Sequence, residues 1–172
     1  MLITISGTPG TGKTNAAKIA AEKLGARLIT TNYLVRKYKL ESQLDRKRRT
    51  MIIDTKKLSA AAEKEAAGIT IFEGHLSHFA KADISIILRT SPQELEKRLR
   101  KKGWSKKKVN ENVEAEAIGV ISEEATAFEI NTTTKSPQQT ASAIIKIIKS
   151  HSSGKKYSKR IDWTKQYEKY LR

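Results

Sequence analysis

Gly7-Thr8-Pro9-Gly10-Thr11-Gly12-Lys13-Thr14 fits the pattern G-x-x-x-x-G-K-[ST]. It stands between an apolar run, Leu2-Ile3-Thr4-Ile5, and an Ala-rich helical stretch from Asn15 to Leu24. This setting narrows the possible folds sharply. A buried strand must feed the loop and a helix must leave it, which is the strand–loop–helix unit that binds phosphate. The glycines let the backbone turn inward, so that successive N–H groups and the helix N-terminus face an anion. Lys13 is long enough to reach β- and γ-phosphates, and the Thr14 hydroxyl can ligate Mg²⁺. A chance glycine-rich turn has no reason to carry both flanks. The loop implies a bound nucleoside triphosphate, with Gly7, Gly10, Thr11, Gly12, Lys13, Thr14 and Asn15 as its candidate contacts.

Apolar runs of strand length recur at Leu2–Ile5, Arg27–Thr30, Ile69–Phe72, Ile84–Leu88 and Phe128–Asn131, with helical patterns between them. Such alternation predicts an α/β fold, a parallel sheet with helices on both faces. Thr55–Ala67 reads as a helix stopped by Gly68. Ser91-Pro92-Gln93-Glu94 and Ser136-Pro137-Gln138-Gln139 each place a cap, a first-turn proline and a capping-box partner ahead of apolar helix residues. A single long helix is expected from Ser105 to about Ala127. Ser150–Lys156 reads as a hinge, separating a domain over 1–150 from a basic tail over 151–172. Trp163, Tyr167, Tyr170 and Leu171 of that tail fall at helix-like spacing. They suit a terminal helix packed on the domain, or an RNA-facing appendage that stacks bases.

The 172 residues suffice for one domain with a substantial core. No stretch approaches a membrane-spanning length. With a strand expected at once, no signal peptide is expected, and the absence of cysteine suits a cytoplasmic location. Charge is the second large fact: 34 Lys and Arg against 18 Asp and Glu give +16. A nucleotide site needs only a few cations. The excess fits a polyanionic partner such as RNA, or a solubilising surface. It gathers in three clusters: Arg36–Arg49, Lys97–Lys108, and Lys146 to Arg172.

Ile69-Thr70-Ile71-Phe72-Glu73-Gly74 is an apolar strand ending in a carboxylate. In phosphate-loop proteins that position faces the loop, so Glu73 is a candidate for the magnesium shell beside Thr14. The alternative is a surface glutamate at a strand end. His75 could position a water or a phosphate, or serve only the structure. After the second strand, Thr31 and Arg36 open a helix and can turn toward one phosphate, where arginine makes forked contacts. Arg46–Arg49 and Met51-Ile52-Ile53-Asp54 complete an insertion the size of a substrate-clasping subdomain.

Taken together, these motifs resemble the adenylate kinases of the small, short-lid kind found in archaea and in eukaryotic nuclei. Those enzymes are linked to maturation of the small ribosomal subunit. The resemblance covers Met1 to about Ser150. It rests on Gly7–Thr14, Thr31…Arg36, Phe72-Glu73-Gly74-His75, Leu88-Arg89-Thr90, Arg98 through Trp104, Asn112–Glu116 and Glu123-Glu124-Ala125. It implies the P-loop nucleotide kinase fold: a five-stranded parallel sheet flanked by helices, a monophosphate-binding insertion over about 30–53 that includes Ile53, and a lid over about 101–111. By the same resemblance, Arg36 matches the arginine that holds the monophosphate. Lys102 matches a basic lid residue that contacts ATP, and Lys135 one beside the adenine. Glu73 and His75 match an acidic-x-His motif associated with ATPase activity, and Arg98 and Arg100 are expected to close with Lys102 over the transferring phosphoryl group.

The departures have a direction. Asn32-Tyr33 stands where housekeeping adenylate kinases carry Gly-Asp, and Glu73-Gly74-His75-Leu76-Ser77 where they carry Asp-Gly-Phe-Pro-Arg. The long lid with paired aspartates is absent. These differences favour the ribosome-linked subfamily. The expected activity is Mg²⁺-dependent transfer from ATP to AMP, with ATPase activity and a small-subunit ribosomal protein or rRNA as partner. A second reading is an ATP-driven assembly factor with water as the main acceptor. A third is a kinase for another small acceptor.

Overall fold

The computed structural model describes residues 1–45, 50–151 and 160–170. Leu2–Ser6 forms strand β1, buried along its whole length. Strands β2 (Arg27–Thr30), β5 (Thr70–Glu73), β6 (Ile84–Arg89) and β7 (Phe128–Asn131) join it in one sheet of order β2-β5-β1-β6-β7, every pairing parallel. A parallel strand covered on both faces reads as a continuous apolar run, which is how β1 was legible. Its side chains alternate between faces. Ile3 and Ile5 meet Ala16, Ala17, Ala20 and Ala21 of helix α1 (Lys13–Leu24), with Ile144 and Ile148 of helix α7 (Pro137–His151) in the same layer. Leu2 and Phe72 face the other way, onto Leu34 of helix α2 (Thr31–Tyr38) and Leu58 and Ala62 of helix α3 (Thr55–Glu65).

The expected five strands and flanking helices are present, and the differences are local. The insertion after α2 contains an antiparallel hairpin, β3 (Glu41–Asp45) with β4 (Thr50–Ile53), which the sequence there, polar in β3 and apolar in β4 without alternation, does not announce. Helix α3 stops at Glu65, short of the expected Ala67, and Asp54 caps its start by accepting the Lys56 and Lys57 N–H groups at 3.0 and 3.1 Å. Helix α4 (Pro92–Lys101) begins where Ser91-Pro92 requires, but the Ser91 side chain makes no cap bond. Glu94 instead accepts from Arg98 Nε at 2.9 Å, one turn on. At α7 the box is reciprocal: the Gln139 N–H donates to Ser136 Oγ at 3.1 Å and the Ser136 N–H to Gln139 Oε1 at 2.9 Å.

The long helix expected over Ser105–Ala127 is two helices, α5 (Lys106–Ala117) and α6 (Val120–Glu124), separated by Gly119 with φ 71°. The chain turns there around the buried guanidinium of Arg89, which bonds Glu116 and Ser122 on either side of the break. Helix α8 (Thr164–Tyr170) follows a buried Trp163, and Tyr167 packs on Leu95, Leu99, Val109 and Val113. Helix α7 runs through Ser150 and His151. The rest of the expected hinge and Arg46–Arg49 of the first basic cluster lie outside the described residues. No helix among the described residues is long and apolar enough to cross a membrane.

Helix α2 is tied to the base of α3 through Glu65. Its carboxylate accepts the Tyr38 hydroxyl at 2.7 Å and the Tyr33 hydroxyl at 3.3 Å, and it pairs with both Lys37 and Arg27. The Lys37 ammonium, then the Tyr38 hydroxyl, hold the Glu65 carboxyl down to about 2. A depressed carboxyl contributes stability that is complete above its unfolded value, near 4.3, and is lost as pH falls through the folded one. Thermal unfolding of Glu65→Gln should therefore fall below wild type at pH 7, with the gap closing between pH 4.5 and 2. A gap that is constant with pH would show that the Glu65 charge is not what ties α2 down.

Candidate active site

In a parallel α/β sheet, ligands bind beyond the carboxyl ends of the strands, where neighbouring connections diverge. Here that end is the phosphate loop. Parallel register sets Ile5 beside Glu73 and Ser6 beside Ile87, so the loop emerges with the end of β5 on one side and β6 on the other. A cavity of about 530 Å³ opens there. Gly10, Gly12, Lys13, Thr14 and Asn15 line one wall, with Thr30, Thr31 and Asn32 opposite; Glu73, Gly74 and His75 form the floor, and Lys102 and Trp104 the rim.

Lys13 is 8% exposed, and its ammonium donates to the carbonyls of Gly7 at 2.7 Å and Thr8 at 3.1 Å. Burial pushes its pKa down to about 8; the Glu73 and Glu116 carboxylates oppose that, and Lys102 adds to it. The Thr14 hydroxyl donates to Glu73 Oε1 at 3.3 Å. Burial raises the Glu73 carboxyl, against the pull of Lys13 and Thr14. His75 is held below its ordinary value by burial first, then by Lys13 and His78. A neutral imidazole and a carboxylate thus stand beside a buried cation and two hydroxyls. This suits an anion whose charge lies near Lys13.

The cavity continues in two directions. Behind the loop, a second cavity of about 560 Å³ shares Gly10, Gly12, Asn15 and Lys102 and adds Thr11, Arg98, Lys101, Thr132 and Lys135. On the other side a third is lined by Thr30, Asn32, Tyr33, Arg36 and Lys37. The three cavities share lining residues and between them take in most of the residues singled out above, with Lys102 common to the first and second, Lys135 in the second and Arg36 in the third. Gly7 lies behind the loop, giving its carbonyl to Lys13. Arg98 is a fixed wall, its guanidinium held by the Thr132 and Thr133 carbonyls at 2.9 and 3.1 Å.

Two expected residues stand elsewhere. Arg100 is exposed on α4 and paired with Glu96 one turn back, because a helix places it on the face opposite Leu95 and Leu99. Ile53 packs against the apolar layer under α2 and α3. His78 is structural: Nδ1 meets Ser6 Oγ at 2.9 Å and Nε2 meets Glu124 at 2.8 Å. The sequence reading passed over Thr30, Asn32 and Trp104, of which only Trp104, an aromatic directly after Gly103, carried a signal. It also passed over Thr8 and Glu116, whose 2.5 Å hydrogen bond joins positions 108 residues apart.

A phosphate loop followed across the sheet by a substrate-sized cleft and a short basic rim defines a P-loop kinase of the nucleoside monophosphate kinase type. A family model described as an AAA domain matches residues 3–119. Proteins named "Putative adenylate kinase" are similar over nearly the whole chain. That of Methanosarcina acetivorans is 43% identical, covering 90% of each chain, and that of Thermococcus onnurineus is 37% identical, covering 99% of this chain and 96% of its own. Among solved structures, shikimate kinase from Acinetobacter baumannii superposes with a TM-score of 0.63 at 16% identity, covering 87% of this chain and 93% of that one. Deoxyadenosine kinase from M. mycoides does so at 0.56 and 19%, covering 87% and 100%. These last two share the fold. The chain belongs to the family of its sequence relatives, the P-loop nucleotide kinases.

Gly74 lets the floor approach α2. A Cβ built there would stand 1.9 Å from Thr31 Oγ1, a buried hydroxyl with no hydrogen-bond partner among the described residues. Gly74→Ala should cost about 2 kcal/mol in urea unfolding, as overpacking does, and adding Thr31→Ala should recover part of it. An alanine tolerated at no cost would mean that β5 and α2 are not packed this closely.

Proposed function

We propose that this protein is an adenylate kinase, transferring the γ-phosphoryl group of ATP to AMP to give two ADP, with hydrolysis when water takes the acceptor's place. One observation carries the reading: the cleft extends from Lys13 in two directions, toward Lys102 and Lys135 on one side and toward Arg36 on the other. A simple hydrolase needs only the first arm. The name borne by the sequence relatives supports AMP as the occupant of the second.

Phosphoryl transfer asks for alignment and charge neutralisation more than for covalent chemistry. The loop N–H groups and Lys13 hold the triphosphate, and Lys13 exchanges its bonds to the Gly7 and Thr8 carbonyls for phosphate oxygens. Lys102 and Lys135 flank the donor nucleotide. Arg36, with Thr31 and Asn32, holds the acceptor phosphate in line. The Thr14 hydroxyl and the Glu73 carboxylate form a hard-oxygen donor pair of the kind Mg²⁺ takes beside phosphates and waters. Mg²⁺ held there would offset charge on the bridging oxygens. His75, kept neutral by its surroundings, can accept a proton from an attacking water. That role, the net charge of +16 and the resemblance to ribosome-linked kinases favour a second reading: ATP hydrolysis in the service of a small-subunit ribosomal protein or rRNA.

Two variants test the assignment. Lys13→Ala should lower both AMP-dependent and AMP-independent ATP consumption at least about 100-fold, the usual cost of removing one charge-stabilising donor. Arg36→Ala should raise KM for AMP on the order of 100-fold, the loss of a forked charge-assisted contact, and leave hydrolysis without AMP intact. Unchanged AMP kinetics in Arg36→Ala would remove the acceptor site from this account.

A further inference from the structure

Thr8 belongs to the phosphate loop, yet its hydroxyl donates to Glu116 Oε2, in the last turn of α5, at 2.5 Å. Glu116 is 2% exposed. Its other oxygen accepts from Arg89 Nε at 2.8 Å and from the Thr90 N–H at 3.0 Å. Arg89, the last residue of β6, is also 2% exposed and has a partner for each of its donor groups. Its guanidinium reaches the Glu116 carbonyl at 2.7 Å, Ser122 Oγ at 2.7 Å and the Ile161 carbonyl at 3.0 Å. The Ile161 N–H donates in turn to Glu129 Oε2 at 2.6 Å, beside Arg89.

A fully buried ion pair is seldom retained for stability, because apolar packing of equal volume does as well. Helix α5 ends just before Gly119, whose φ of 71° turns the chain beside Arg89; a Cβ there would stand at ordinary contact distance, 3.6 Å, from both terminal guanidinium nitrogens. The network runs from the C-terminal segment to Glu116, and from Glu116 to the loop that carries Lys13. What the cluster holds in place is Thr8.

We propose that Glu116, seated by Arg89, is a positioning residue for the phosphate loop: its carboxylate fixes Thr8 and so the conformation in which the loop receives a triphosphate. Helix α5 and the segment around Ile161 are the support from which it does so. The inference rests on the reading of Gly7–Thr14 as the triphosphate site, and it is independent of the acceptor.

The test compares full-length Thr8→Val, Thr8→Ser, Glu116→Gln and the Thr8→Val/Glu116→Gln double variant. It measures ATP affinity by calorimetry, and KM for each nucleotide and kcat by ADP formation. Loss of one hydrogen bond to a buried charge corresponds to about tenfold or more. Thr8→Val should weaken ATP by about that factor and leave KM for AMP unchanged. Thr8→Ser, which keeps the hydroxyl, should recover most of the loss. In the Glu116→Gln background, Thr8→Val should cost little more, since both changes remove one interaction.

Wild-type ATP affinity in Thr8→Val, or fully additive losses in the double variant, would overturn the proposal; a lowered melting temperature alone would mean the cluster is only structural. If Glu116→Gln fails to fold, the Val and Ser pair at Thr8 decides the matter. A wild-type protein that binds ATP but makes no ADP from AMP refutes the acceptor reading and leaves this comparison valid. One that binds no ATP refutes both.

Discussion

The parallel pairing of β1 with β5 on one edge and β6 on the other is the constraint on which the remainder depends. It places the strand that feeds the loop at the middle of the sheet, where both faces must be covered and both edges are paired. The loop that follows cannot drift. Its neighbours on either side are fixed by register: Glu73 at the end of β5, and Arg89 at the end of β6 with Thr90 just beyond it. The carboxylate beside the triphosphate and the arginine behind the loop are consequences of the same ladder.

Electrostatics completes what register begins. Lys13 is a buried cation whose charge is maintained by carboxylates on two elements, Glu73 from β5 and Glu116 from α5. Its hydrogen bonds to loop carbonyls satisfy it locally without neutralising it. An incoming phosphate meets a charge already desolvated, where Coulomb interactions are stronger than in water. The cleft walls are hydroxyls, amides and basic side chains, with His75 neutral among them, which is the composition of a phosphate-transfer site.

Much of this was legible in the sequence, for physical reasons. The central strands are buried along their length and apolar almost throughout, and the edge strands β2 and β7 keep enough apolar residues that all five could be seen. Ser136 and Gln139 announced α7 because capping is local chemistry. The loop carried its own signature. What failed did so where distant residues decide the outcome. The break falls at Gly119, where Arg89, thirty positions earlier, bonds residues on both sides, and a helical pattern on both sides conceals it. The hairpin of β3 and β4 pairs strands without an apolar alternation. Arg100 looked like a partner of Arg98, but two residues apart on a helix point to different faces, and only Arg98 reaches the cleft. The bond between Thr8 and Glu116 could not be seen at all, since no spacing rule links a loop residue to a carboxylate on another helix.

A phosphate loop that serves two nucleotides differs from a hydrolase in its products. The most direct measurement follows the ³¹P spectrum of ATP with Mg²⁺ and the wild-type protein, with and without AMP. The account predicts that AMP makes ADP the dominant product, two formed for each ATP consumed, with free phosphate appearing slowly in its absence. Phosphate release at the same rate in both samples, with AMP left unconsumed, would contradict it.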